Sequence, residues 1–368
     1  MRKLIILVAA LALALTACAS ATTEPPATLD TMPTRGFPEG AVIGVAMPFR
    51  TAESFTVSEY LFNEVLTDAG FTPMIRYADG GVWEQGEQIE AMVEAGAPVI
   101  VVGARDGSQL GEWLAAAKRA GVAIIAFDRL LTNTPDVDAY IAFDRCQAGW
   151  IQAISLLECL AARKGAGPYN IKLIAGSPDD PNASVFFNCA MEVLQPKIDG
   201  GTLVIPSGQT TMEQVATEGW LPSQAKERLS AILSDFYKGG KKLDGILSPN
   251  DWIARGVIDT VEEAGFGIPI VTGQDSDAES VRWVAEGRQY STINNDLKVL
   301  ITETVNLVKQ LQQGQQLDSN TTVNNGTINV PAFLLPPVHV TKDNVCTVYD
   351  PDWNAGHAAA ETPLCKGE

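Results

Sequence analysis

Histidine is almost missing from this 368-residue chain, and its two copies, His339 and His357, both lie near the C-terminus. That scarcity removes the commonest general base and the commonest zinc ligand. No His/Cys cluster has zinc spacing, and neither G-x-S-x-G nor the phosphate-cradling G-x-x-x-x-G-K-[ST] occurs. Ser177-Pro178-Asp179-Asp180 is acidic, but it lacks the spaced ligands of a calcium loop. Nothing in the chain calls for a metal or a cofactor. Positive charge is also short: 26 Lys and Arg face 44 Asp and Glu, a net charge of −18. An acidic surface repels phosphate backbones, which argues against nucleic acid as a partner. Apolar runs of membrane-spanning length are absent too. The longest, Leu4 to Leu15, has twelve residues, whereas a spanning helix needs ~20.

That short run does have a reading. Met1-Arg2-Lys3 precedes it and Leu15-Thr16-Ala17-Cys18 follows, so residues 1–18 read as a secretory signal whose end resembles a bacterial lipobox. Cys18 would then carry the lipid and place the protein extracytoplasmically, in the periplasm or on the outer face of the cell membrane. Residues 19–40 are rich in Thr, Ala and Pro without apolar period, and read as a flexible tether. Five other cysteines remain: Cys146, Cys159, Cys189, Cys346 and Cys365. An odd number leaves at least one thiol free, and Cys346 with Cys365 is the candidate disulfide bracketing the tail.

From Ala41 onward, short β-rich runs alternate with amphipathic stretches. Strands are expected at 41–48, 72–77, 98–103 and 122–127, with helices at 54–69, 83–95 and 107–120. The helices end in Ala69-Gly70, Ala95-Gly96 and Ala120-Gly121, where glycine serves as the residue after the last turn. Further strands are expected at 171–176, 203–206, 245–248, 269–273 and 290–293. Their helices should cover 148–162, 183–194, 224–237, 252–264, 278–286 and 297–312. This βα alternation predicts an α/β protein of two doubly wound, Rossmann-like lobes.

In such sheets ligands bind beyond the carboxyl ends of the strands. The residues there are Phe49-Arg50, Arg105-Asp106, Asp128-Arg129, Ser177 to Asn182, Asn250-Asp251, Gln274-Asp275 and Asn294-Asn295. Asp, Asn, Arg and Gln recur, while His and Cys are missing. Sugar hydroxyls both donate and accept, so planar carboxylate, amide and guanidinium groups suit them, and aromatic rings suit the C–H face of a pyranose. A pair of carboxylates could alternatively hydrolyse glycosides, with Asp128 and Asp275 as the pair to test.

Several of these segments carry a family resemblance. Asp128-Arg129-Leu130, Gly176 to Asp180 with Asn182-Ala183, Ser207-Gly208-Gln209, Leu247-Ser248-Pro249 with Asp251, Gly273-Gln274-Asp275, Gln289 to Ile293, Asn324-Asn325-Gly326 and Val340 to Asn344 resemble the ChvE-type multiple-monosaccharide-binding receptors. The similarity runs from about Ala41 to Asn344. It implies a type I periplasmic binding protein: a non-enzymatic, monomeric protein with two lobes, a three-strand hinge and a monosaccharide in the cleft. Chain passages are expected near Phe143-Asp144, after Asn295 and near Val330. The lobes would be 41–144 with 296–329, and 145–295 with 330–368. The resemblance assigns Asp128, Arg129, Asn182, Asn250, Asp251 and Asp275 to the sugar's polar groups, and Trp220 to stacking. Ser54-Phe55 stands where the family has Arg-Trp, so Phe55 keeps an aromatic, and Arg50 is the candidate replacement cation. Asn294-Asn295 stands where the family has Phe-Lys, and Asn295 joins the set. The implied function is capture of a neutral aldopyranose for the permease of an ATP-driven importer. The alternative implied role is sensing, with docking on a membrane receptor kinase or chemoreceptor.

Overall fold

The computed structural model describes residues 36–51 and 53–349. Cys18, the signal segment, most of the tether and Cys365 lie outside the described residues. Two βα series follow one another. The first runs β1 (Val42–Met47), α1 (Glu53–Asp68), β2 (Thr72–Tyr77), α2 (Val82–Glu94), β3 (Val99–Val102), α3 (Gly111–Arg119), β4 (Ala123–Phe127) and β5 (Ala139–Phe143). The second runs α4 (Arg145–Lys164), β6 (Tyr169–Leu173), α5 (Pro181–Asp199), β7 (Leu203–Val204), α6 (Met212–Val215), a 3-10 turn (Glu218–Trp220), α7 (Pro222–Phe236), β8 (Gly245–Leu247), α8 (Asp251–Glu263), β9 (Ile270–Val271), α9 (Ala278–Glu286) and β10 (Ser291–Asn294). The closing segment supplies α10 (Leu297–Gln312), β11 (Thr321–Asn324), β12 (Asn329–Leu335), β13 (Val338–Thr341) and α11 (Val345–Val348).

The strands form a seven-stranded sheet, β11-β12-β5-β4-β3-β1-β2, a four-stranded sheet, β7-β6-β8-β9, and the antiparallel pair β10-β13. Every pairing in the two larger sheets is parallel except β11 with β12. Central strands are apolar on both faces because helices cover both: all residues of β3, β4 and β5 are buried. Each fully buried Val, Ile or Phe there contributes ~1.5–3 kcal/mol. The edge strand β2 carries Pro73, tolerated where no neighbour needs its missing N–H.

β5 was not among the expected strands. It is a five-residue buried run between Asp138 and Asp144, short enough to pass for a loop. The chain leaves the seven-stranded sheet after β5, returns through α10, and leaves again after β12. That last passage falls at Pro336-Pro337 and not near Val330. Residues Ala332 to Leu335 add in parallel to β5, so the segment up to Leu335 belongs with the first sheet, and only β13 joins β10.

Cys146 and Cys189 form a disulfide between α4 and α5, a pairing that spacing alone did not single out. Beside it Gly149 permits the close crossing, since a Cβ there would lie 2.1 Å from the Phe186 carbonyl oxygen. Cys159 is a buried free thiol. Cys346 is disulfide-bonded.

Candidate functional site

The two parallel sheets turn their carboxyl ends toward one cavity. β4 stops at Phe127, and Asp128 takes a left-handed backbone with φ 62°. Arg129 N donates to Phe127 O at 2.6 Å, closing a three-residue turn that points Asp128 beyond the strand. After β9, Asp275 takes φ 98°, with its N–H bonded to Ile293 O at 3.0 Å. Trp220 is left-handed too, with φ 59°. Such conformations cost a non-glycine residue ~1–3 kcal/mol and persist only where the surroundings over-determine them. Three of the five described cases line this cavity.

The void is about 800 Å³ counting its mouth. Aromatic rings from both series wall it. Phe49 and Phe55 pack edge-to-face at 5.4 Å, and Phe186 and Trp220 meet at 6.0 Å. Gly176 makes room for Trp220, because a Cβ there would sit 2.2 Å from the indole. Ser177 Oγ accepts from Gly219 N at 2.7 Å and fixes the turn that carries the ring.

Charged groups bridge the two series. Arg145, the first residue of α4, is ion-paired to Asp128. Arg129 Nε lies 3.3 Å from Asp180 Oδ2, and its guanidinium also stacks 5.3 Å over Phe49. Asp180 caps α5 by accepting from Asn182 N at 2.9 Å. Asn182 Nδ2 in turn donates to Asp128 O at 2.9 Å. Burial raises the Asp180 carboxyl above its ordinary range, against the pull of Arg129. Asp275 is pushed up to about 7, chiefly by burial and then by Asp277, while Arg145 and the Asn295 amide oppose the shift. Its accessible surface opens onto the cavity. Trp220 Nε1 and Gln274 Oε1 are buried without hydrogen-bond partners.

Phe55, Asp128, Arg129, Asn182, Trp220, Asn250, Asp275 and Asn295 therefore converge on one cavity. Asn250 also caps α8, with Oδ1 accepting from Ile253 N at 3.0 Å. Asp251 and Arg50 are placed elsewhere. Asp251 is fully buried behind the wall, accepting from Gln289 Nε2 at 2.7 Å and Thr292 Oγ1 at 2.8 Å. Gly273 makes space for it, since a Cβ there would lie 2.0 Å from Asp251 Oδ1. Arg50 is exposed, with Nη1 3.0 Å from Asp79 Oδ2 and its guanidinium 4.0 Å over Tyr77. Tyr77 OH donates to Phe55 O at 2.5 Å. Arg50 thus secures the loop that presents Phe49 and Phe55. The cavity also includes Phe49, Arg145, Asp180, Trp252 and Gln274. Arg145 lies two residues past the end of β5, a strand too short and too closely flanked by aspartates to signal a strand end in the sequence.

Residues 43–316 match the periplasmic binding protein domain family. The chain belongs to that family. This binding protein is 39% identical over 309 residues to the multiple sugar-binding periplasmic receptor ChvE of Rhizobium radiobacter, covering 82% of this chain and 87% of the relative. It is 30% identical over 304 residues to the D-xylose-binding periplasmic protein of Escherichia coli, covering 82% and 87%. Among solved structures, it resembles an ABC transporter solute binding protein from Clostridium phytofermentans with bound β-D-glucose. The TM-score there is 0.81 at 34% identity, over 88% of this chain and all of the other. A carbohydrate transporter solute binding protein from Chloroflexus aurantiacus in complex with D-glucose gives 0.78 at 31% identity, over 88% and 98%. The binding protein's two-lobed fold is of type I. Among its described residues no group of three or more His, Cys, Asp or Glu is placed to hold a metal ion, and no helix is long and apolar enough to cross a membrane.

Proposed function

We propose that this chain is the extracytoplasmic, lipid-anchored receptor of an ATP-driven importer, and that it captures a monosaccharide in aldopyranose form between its lobes. One observation carries the reading: strand-end carboxylates from two separate sheets, Asp128 and Asp275, meet in one aromatic-walled cavity. Rings on both sides suit the apolar faces of a pyranose, and the carboxylate, guanidinium and amide groups suit its hydroxyl edge. A ligand touching both series binds the closed arrangement better than an open one, so it shifts the population toward closure, and the permease reads that state. Sugar binding in the relatives named above supports this assignment. Hydrolysis is disfavoured because Arg145 engages Asp128 and Arg129 engages Asp180, leaving no second unpaired carboxylate in the cavity opposite Asp275 among the described residues.

A thermal-shift screen of the full chain over pentoses, hexoses and inositols tests the proposal, followed by calorimetry on each hit. A cognate sugar at 100 times its Kd should stabilise by ~2.7 kcal/mol through mass action. No stabilisation by any monosaccharide refutes the reading, as does release of product from aryl glycosides.

A further inference from the structure

The charges around the cavity do not balance, and the imbalance sits on one residue. Arg145 is engaged by Asp128. Arg129 is engaged by Asp180 at 3.3 Å, and Arg255 by Asp277 at 3.0 Å. Arg105 stacks 4.8 Å over Phe49, on the opposite wall. Asp275 has no cation within ion-pair distance among the described residues. The groups facing it are mostly of its own sign: Asp128 after β4, Asp277 on its own loop, and Asp251 from α8 behind. Arg145 from α4 and Asn295 after β10 act against them. Beside Asp275, the 3% exposed Gln274 holds its Oε1 acceptor buried and unpartnered. The Asp275 carboxyl, with only the Asn295 amide as a side-chain donor, and the unpartnered Gln274 Oε1 call for a compact group with several donors and a positive charge that would favour the ionised carboxylate. An ammonium has three donors and no acceptor.

We infer that the preferred occupant is an amino sugar, a monosaccharide whose single –NH3+ sits between Asp275 and Gln274. The inference rests on the monosaccharide reading above and narrows its substrate class. Uronates and sugar phosphates are disfavoured, because every cavity cation is already neutralised by a carboxylate. The chain's net charge of −18 further concentrates cations near its surface.

Calorimetry on the full chain at pH 6.5, where a sugar amine is protonated, decides the matter. The probes are D-glucosamine, D-galactosamine and D-mannosamine beside their neutral parents, with D-glucuronate as the anion. At least one amino sugar should bind at least about tenfold more tightly than its parent, and glucuronate more weakly than glucose. In Asp275→Asn that ratio should fall to about one, with circular dichroism confirming the fold. Parents that bind as tightly as their amino sugars overturn the inference and leave the monosaccharide reading standing. No binding by any probe overturns the inference, and the screen over pentoses, hexoses and inositols then decides the monosaccharide reading. The wild-type comparison stands even where the variant does not fold.

Discussion

Replacing Asp275 by asparagine keeps the shape of the side chain and removes an ionisation that the ligand-free fold opposes. Burial, Asp277 and Asp128 move this carboxyl from an ordinary 3.8 to about 7. Between those values the folded state holds a proton that the unfolded chain has released. Stability therefore falls as pH rises through that window, and the penalty is complete above about pH 7. At ~1.36 kcal/mol per pH unit the span corresponds to on the order of 4 kcal/mol. Because the carboxyl opens onto the cavity, water relieves a share, and ~2–4 kcal/mol is the expected range. Asp251 adds in the same direction, since burial and then Asp277 and Asp275 raise its own carboxyl. Asp275→Asn should thus melt roughly 3–6 °C higher than the ligand-free wild type at pH 8, with the gap closing toward pH 4. Differential scanning fluorimetry across pH 4–8 on both proteins measures this. A gap that does not change with pH, or a variant less stable at pH 8, refutes the electrostatic account.

Arg129→Ala removes the partner of Asp180 and the cation over Phe49, so sugar affinity should drop at least about tenfold, read by calorimetry. Arg50→Ala releases the loop bearing Phe49 and Phe55 without removing a cavity group, so affinity should weaken by about threefold to tenfold with an unchanged melting curve. The Cys146–Cys189 bridge closes a loop of 43 residues, and Cys189→Ser should cost ~4 kcal/mol, measured by denaturant unfolding. Cys18→Ser should release the protein from membranes on fractionation, and equal solubility of the wild type refutes the anchor.

Periodicity made most of the βα alternation legible before any coordinates. The helices at 278–286 and 297–312 fall on α9 and α10 residue for residue, because their apolar spacing and flanking residues are local signals. β5, β11, β12 and β13 left weaker traces. Five buried residues between two aspartates do not announce a strand, and a Thr/Asn hairpin reads as loop until a partner pairs with it. The strand-end rule pointed to Asp128, Asn182 and Asp275, since a polar residue after an apolar run is visible in one dimension.

Composition and order along the chain therefore determined the fold class, the acidic character, the absence of zinc and phosphate motifs, and the strand ends where a ligand would sit. Only the tertiary structure decided which of those strand ends share a cavity. Asp251 and Asp275 lie in equivalent places in the sequence pattern, yet Asp251 turns inward to Gln289 and Thr292 while Asp275, at positive φ, opens onto the void. Arg50 and Arg145 divide in the same way, one pinning an exposed loop and the other buried against Asp128. The reason is physical. Periodicity encodes burial along one element, whereas the direction of a strand-end side chain and the sign of the charge facing it depend on distant segments brought together by folding.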